Sequence, residues 1–150
     1  MLMPTRILVP TDFSEYSDKA LEQALDIAKE YKAKVFLFHV IHEEPLHPIP
    51  FVDTVLEKKV LEMICDQARV EAEQRMRTQL EKFPQTKEVE VVTGIRRGIA
   101  YEEILKEAED NKVDLIVIGS LGRTAIAKYF IGSVARNVLK GATCNVLLAK

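Results

Sequence analysis

The chain has only two cysteines, Cys65 and Cys144, far apart in sequence. They form no C-x-x-C pair, so the sequence offers neither a dithiol redox motif nor a zinc knuckle. No apolar run approaches the roughly 20 residues that a membrane-spanning helix needs. The opening Met1-Leu2-Met3-Pro4-Thr5-Arg6 lacks the order of a signal peptide, and the cytoplasm is the expected address. There is no excess of either charge: 21 basic against 23 acidic residues give a net charge of -2. A nucleic-acid binder working by bulk electrostatics would show a basic surplus. Phosphate on a small ligand is not excluded, because clustered backbone N–H groups hold it without net positive charge. Two phosphate motifs are also missing. No GxxxxGK[ST] and no GxGxxG occur, which removes a Walker loop and a dinucleotide fingerprint. His39, His42 and His47 lie in a strand and a proline-rich loop without a fixed scaffold, and no metal site is expected from them.

What is present is the composition of an ordinary globular protein, 47% hydrophobic and 29% charged over 150 residues. That length suits one domain, residues 1–150, with a core of its own. Apolar runs and helical repeats alternate along it. Arg6 to Pro10 reads as a strand closed by a proline. Ser14 then starts an amphipathic helix of about 15 residues, carried by Ala20, Leu21, Ala24, Leu25, Ile27 and Ala28. Lys34 to Val40 is a second strand, apolar on both faces, as strands between two helical layers are. A loop from Ile41 to Pro50 leads to a long helix from Asp53 to about Phe83. Val55, Leu56, Val60, Leu61, Ile64, Ala68, Ala72, Met76 and Leu80 mark its apolar line. Lys87 to Thr93 alternates and reads as a strand at or near a sheet edge, followed by a loop bracketed by Gly94 and Gly98. Ile99 to Asp110 is a helix with Ile104, Leu105 and Ala108 inward, and Asp114 to Ile118 is the strongest strand. After a loop from Leu121 to Ile131, a helix from Ser133 to Lys140 stops at Gly141, taken as its C′ residue. Asn145 to Ala149 is the last strand.

Every strand is joined to the next through a helix, as parallel strands require. The reading is a doubly wound open α/β sheet. A flavodoxin-like or receiver-like sheet has much the same element string. A receiver, however, needs an aspartate after the third strand, and Thr93-Gly94-Ile95-Arg96-Arg97 has none.

In open α/β sheets ligands bind beyond the carboxyl ends of the strands, where the order reverses. Pro10-Thr11-Asp12 and Gly119-Ser120-Leu121-Gly122 follow two such strands, and Gly132-Ser133-Val134 opens the last helix. Gly119 and Gly122 allow tight turns and close backbone approach. Gly132 leaves the amides of a helix start uncovered, and Ser133 adds a hydroxyl, a combination suited to phosphate. Each feature alone also fits a purely structural role, Gly119 as a strand end and Ser133 as a helix cap. Arg123 and Lys128 fit phosphate contacts and solvated loop charges equally well.

The pattern Gly119-x-x-Gly122, nine residues, Gly132-Ser133 resembles the ATP-binding branch of the universal stress protein family. The resemblance covers the whole chain, from Ile7-Leu8-Val9-Pro10-Thr11-Asp12-Phe13-Ser14 through Asp114-Leu115-Ile116-Val117-Ile118-Gly119-Ser120 to Asn145-Val146-Leu147-Leu148. It implies a Rossmann-like, three-layer α/β/α fold of the adenine nucleotide alpha hydrolase type, with an open parallel five-stranded sheet in the order 3-2-1-4-5. It implies that Asp12 lies near the adenosine part of the ligand, with Pro10 and Thr11 in the cleft wall. The backbone of Val40 would meet adenine. Ile118, Gly119 and Gly122 would surround ribose and phosphates, and Gly132, Ser133 and Val134 would hold the phosphates. The implied ligand is ATP, alone or with a magnesium or manganese ion. The implied assembly is a homodimer through the fifth strand, without nucleic acid or membrane as partner. Leu121, where relatives often carry a polar or basic residue, and Ala100, where many have proline, depart from the pattern. No general base is visible, so no catalytic residue is named. The functional expectation is a nucleotide-binding regulatory or stress-response protein. A slow ATP hydrolase and a nucleotide-independent interaction module are the alternatives.

Overall fold

A computed structural model describes residues 2–43, 54–121 and 131–150. Strand β1 (Arg6–Pro10) leads to helix α1 (Glu15–Tyr31), β2 (Lys34–His42) and α2 (Thr54–Glu81). A short 3₁₀ turn (Pro84–Lys87) precedes β3 (Val91–Gly98). Then follow α3 (Ala100–Asp110), β4 (Leu115–Gly119), α4 (Ser133–Gly141) and β5 (Asn145–Ala149). The five strands form one sheet in the order β3-β2-β1-β4-β5, and all four pairings are parallel. This is the expected order, and it puts the chain reversal between β1 and β4.

Alternation along each strand divides the core in two. Ile7, Val9, Val35, Leu37, Leu115 and Val117 face α1 and α2, meeting Leu21, Leu25 and Met76. Leu8, Phe36, Phe38, Ile116 and Ile118 face α3 and α4, meeting Ile104, Ala108, Ala135 and Val138. The result is a three-layer α/β/α sandwich. Ser14 caps α1, its Oγ accepting from the Ser17 amide at 3.3 Å. Among the described residues no helix is long and apolar enough to cross a membrane.

Four sequence expectations are corrected. β2 does not end at Val40 but runs on to His42, where a loop was expected. β3 does not span Lys87 to Thr93, because Pro84 opens a 3₁₀ turn that takes up Lys87 and delays the strand to Val91. It then runs through Gly94 to Gly98, since the longer β2 offers a partner at every step from Val35↔Val91 to His42↔Gly98. Its edge position is as the alternation indicated. Gly141 is not a residue beyond α4 but its last one, with Ala142 as the cap. A Cβ on Gly141 would lie 2.6 Å from Leu105 Cδ1, the tip of an α3 side chain that would have to turn aside. Last, only part of the apolar line of α2 is inward. Ala72 and Met76 are buried, whereas Val55, Leu56, Val60 and Ile64 are exposed. A helix of 28 residues is about 42 Å long, against about 30 Å for a strand of eight or nine, so its first turns have no sheet beneath them. The expected start of this helix at Asp53 lies outside the described residues.

Arg96 on β3 ties α3 to the sheet. Its guanidinium lies 2.9 Å from Glu107 and 2.8 Å from Asp110. The Asp110 hydrogen bond first, and the surrounding carboxylates with it, raise its pKa above the ordinary arginine value. Half-exposed ion pairs contribute little singly. Arg96→Met is expected to cost about 1 kcal/mol at pH 7. The loss should be smaller in about 1 M sodium chloride, which screens charges this exposed. Urea denaturation at low and high salt checks the size and the sign; an equal loss at the two would refute the ionic origin.

Candidate functional site

Where β1 and β4 part, their carboxyl ends leave a cavity of about 300 Å³. Pro10, Thr11 and Asp12 form one wall and Ile118, Gly119 and Leu121 the other. Gly132, Ser133 and Val134 close it at the start of α4, and Val40 with Phe38 lines the β2 side. Of the residues expected at the site, only Gly122 is missing from this lining; it lies outside the described residues, with Arg123 and Lys128. Phe38, Ala100 and Ile104 also line the cavity. Nothing in sequence separates Phe38 and Ile104 from other core positions, since each is an apolar residue in a strand or helix register.

The Pro10–Asp12 wall is held from several directions. The Thr11 amide donates to the Phe38 carbonyl at 2.8 Å, and His39 Nδ1 donates to the Thr11 carbonyl at 2.7 Å. Thr11 is buried, and its hydroxyl donates to Gln79 Oε1 at 2.8 Å on the α1/α2 side of the sheet. The hydroxyl therefore serves the protein, and Thr11 reaches the cavity by its other atoms. Asp12 Oδ1 accepts from the Ser14 amide at 3.0 Å, which turns the chain into α1. Phe13, next to it, sits at φ 64°.

At the opposite wall the Gly132 amide donates to the Ser120 carbonyl at 2.7 Å, and the Ser120 amide donates to Ala149 at 2.8 Å. This links the start of α4 to the β4–β5 ends. Gly132 is the N-cap of α4 and makes no side-chain cap bond, and Ser133 is the first helical residue rather than the cap. The first-turn amides of α4 thus open on the cavity with no capping side chain over them, at the positive end of the helix. Gly119 has a structural duty besides lining the cavity. A Cβ there would lie 3.0 Å from the carbonyl carbon and oxygen of Tyr16, so the glycine is what lets α1 approach β4.

Chemically, the cavity joins an apolar part (Phe38, Val40, Ile104 and Ile118) to a polar end of amides, a hydroxyl and one carboxylate. No lysine or arginine among the described residues lines it. An anion would be held there by backbone N–H groups and the helix end. Cys144 packs beside the second core cluster, where burial pushes its thiol pKa up and makes it a poor nucleophile.

The model of the universal stress protein family matches residues 3–150. The chain belongs to the universal stress protein family. Universal stress protein MJ0531 of Methanocaldococcus jannaschii is 32% identical to it over 145 residues, covering 97% of this chain and 81% of that protein. Universal stress protein UspA from Lactobacillus plantarum superposes with a TM-score of 0.84 over the full length of both chains, at 27% identity. The universal stress protein from Archaeoglobus fulgidus, solved in complex with dAMP, shares the fold with a TM-score of 0.69 at 20% identity, over 99% of this chain and 100% of that one.

Proposed function

We propose that this universal stress protein binds an adenine nucleotide, ATP with a magnesium or manganese ion, in the β1/β4 cleft, and that it acts as a regulatory stress-response protein through that binding. One observation carries the reading. The uncapped start of α4 opens on the same cavity as an apolar wall, which suits a ligand that is flat and apolar at one end and anionic at the other. In this reading Val40, Ile118 and Pro10 flank the adenosine half, and Asp12 lies beside it. Gly119, Gly132, Ser133 and Val134 meet ribose and phosphates, together with Gly122. The metal ion would be held mainly by the phosphates, as magnesium commonly is. The dAMP bound by the Archaeoglobus fulgidus protein is a ligand of the same class. The assembly in this reading is a homodimer through the exposed edge of β5.

Calorimetric titration with magnesium ATP tests the central claim. The wild type should release heat with one site per chain. Gly132→Val sets a branched side chain at the helix start and should weaken binding at least tenfold, with circular dichroism confirming the fold. Absence of heat with ATP, ADP and AMP alike would overturn the reading.

A further inference from the structure

Gln79 is a polar residue in the buried stripe of α2, one turn beyond Met76, and is only 3% exposed. It does not line the cleft. Its amide nevertheless ends on the cleft wall, by a chain of bonds that begins at the surface. Lys82 Nζ pairs with Asp18 Oδ2 at 2.9 Å. Gln79 Nε2 donates to Asp18 Oδ1 at 2.9 Å, and Gln79 Oε1 accepts from the Thr11 hydroxyl at 2.8 Å. The same hydroxyl accepts from the Phe13 amide at 3.1 Å.

Donor and acceptor counting fixes the direction of this chain. A carboxylate only accepts, so Asp18 turns the NH₂ of Gln79 toward itself and the carbonyl oxygen toward Thr11. Thr11 has one hydroxyl proton. Ser17 Oγ stands 3.1 Å away and gives its own proton to the Ser14 carbonyl at 2.8 Å, so toward Thr11 it can only accept, and from a longer distance. The Gln79 oxygen, closer and with lone pairs to spare, takes the Thr11 proton. The lone pairs of Thr11 are then left for the Phe13 amide.

That amide belongs to a residue at φ 64°, a region that aromatic residues rarely occupy. Such conformations persist only when their surroundings hold them. Here the Phe13 ring meets the His39 ring, with centroids 4.6 Å apart, and the Arg75 guanidinium, 4.9 Å from the ring centroid. Arg75 and Gln79 are one turn apart on α2. Asp12, in the cleft, is the residue between the two that α2 grips, Thr11 and Phe13.

We propose that Gln79 is a positioning residue for the cleft: through the Thr11 hydroxyl it holds the Thr11-Asp12-Phe13 turn in the left-handed shape that presents Asp12 to the ligand. The role makes α2 part of the binding machinery without touching the ligand. Whatever shifts the last turns of α2 alters affinity, and occupancy of the cleft bears on α2 in return. The functional consequence rests on the nucleotide reading above; the structural half does not.

The test has two arms. Gln79→Met keeps the shape and removes the bonds to Thr11 and Asp18 and the longer one, 3.4 Å, to Ser17 Oγ, and Asp18→Asn is the milder variant that frees the amide to flip. In the ligand-free protein, amide hydrogen exchange at Phe13 should quicken at least tenfold in Gln79→Met and less in Asp18→Asn, with Leu8 and Val9 of β1 unchanged. In titrations with magnesium ATP the dissociation constant should rise about tenfold. Thr11→Val should weaken binding to a similar extent, and the double variant Thr11→Val/Gln79→Met should be no weaker than the worse single one, because both remove the same bond. Additive losses, unchanged exchange at Phe13, or faster exchange with unaltered affinity would each overturn the proposal. A wild type that binds no adenine nucleotide would defeat the nucleotide reading and the claim about affinity with it, while the exchange arm would still decide whether Gln79 holds the turn.

Discussion

Gly119→Ala should lower the stability of this protein by about 2 kcal/mol, a fall of about 4–8 °C in melting temperature for a chain of this size. The added methyl would sit 3.0 Å from Tyr16 backbone atoms. A flexible side chain could swing away from it, but Tyr16 lies in the first turn of α1. That turn is fixed by the Ser14 cap and by Ala20, Leu21 and Ala24, which are fully buried. Relief therefore needs α1 or the end of β4 to move. The backbone of Gly119 is not left-handed; among the described glycines only Gly98 has a positive φ, at 146°. The cost is thus purely steric, and reduced freedom of the unfolded chain returns about 0.4–1 kcal/mol of it. Gly94→Ala is the control. Its methyl would meet Phe38 at 3.4 Å, ordinary contact, so the same unfolded-chain effect should leave this variant as stable as the wild type or up to about 1 kcal/mol more stable. Thermal and urea denaturation of both variants decide the matter. Equal stability of the two would mean that α1 yields easily, and that Gly119 is not the spacer between α1 and β4.

The same glycine shows where sequence reading succeeds and where it stops. Its place after a strong strand, and its spacing to Gly132, were enough to set it beside the cleft. Its steric duty toward Tyr16 depends on a helix a hundred residues earlier in the chain, and no local pattern carries that. Periodicity gave the alternation of strands and helices because burial on one face or two is written into residue type. The sheet order came from the family resemblance, since element strings of this kind fit several topologies. β3 was misplaced because its register is set by the length of β2, a non-local fact. The inner stripe of α2 was overextended because exposed and buried turns carry equally apolar residues, such as Val60 and Met76. Thr11 was legible as cleft wall but not as the anchor of a buried network. Gln79 was invisible, because one glutamine on a charged helix has no pattern of its own.

Assembly is the largest effect expected from a single backbone change. β5 is an edge of the sheet, and Leu147 on it is 37% exposed. The edge has no proline and no inward charge to discourage pairing. In the proposed homodimer two such edges pair antiparallel about a two-fold axis. Which peptide groups are available follows from the ladder. The Ser120 amide donates to the Ala149 carbonyl, and alternate residues of a strand turn their peptide groups to opposite sides. Asn145, Leu147 and Ala149 therefore face β4, while Val146 and Leu148 present theirs at the open edge. Leu147→Pro would strip a bond from β4 and damage the fold itself. Leu148→Pro removes an outward donor, twice per dimer by symmetry. Two lost bonds of about 1–1.5 kcal/mol each should weaken dimerisation roughly a hundredfold. Leu148→Ala, which shortens the side chain and keeps the amide, should retain most of the association. Sedimentation equilibrium over a range of concentrations should then find a dimer at tens of micromolar for the wild type and for Leu148→Ala, with the 17.0 kDa monomer of Leu148→Pro persisting to about a hundredfold higher concentration than that of the wild type. A wild type that sediments as a monomer would show that one chain manages its own edge. A dimer indifferent to Leu148→Pro would place the interface on another face.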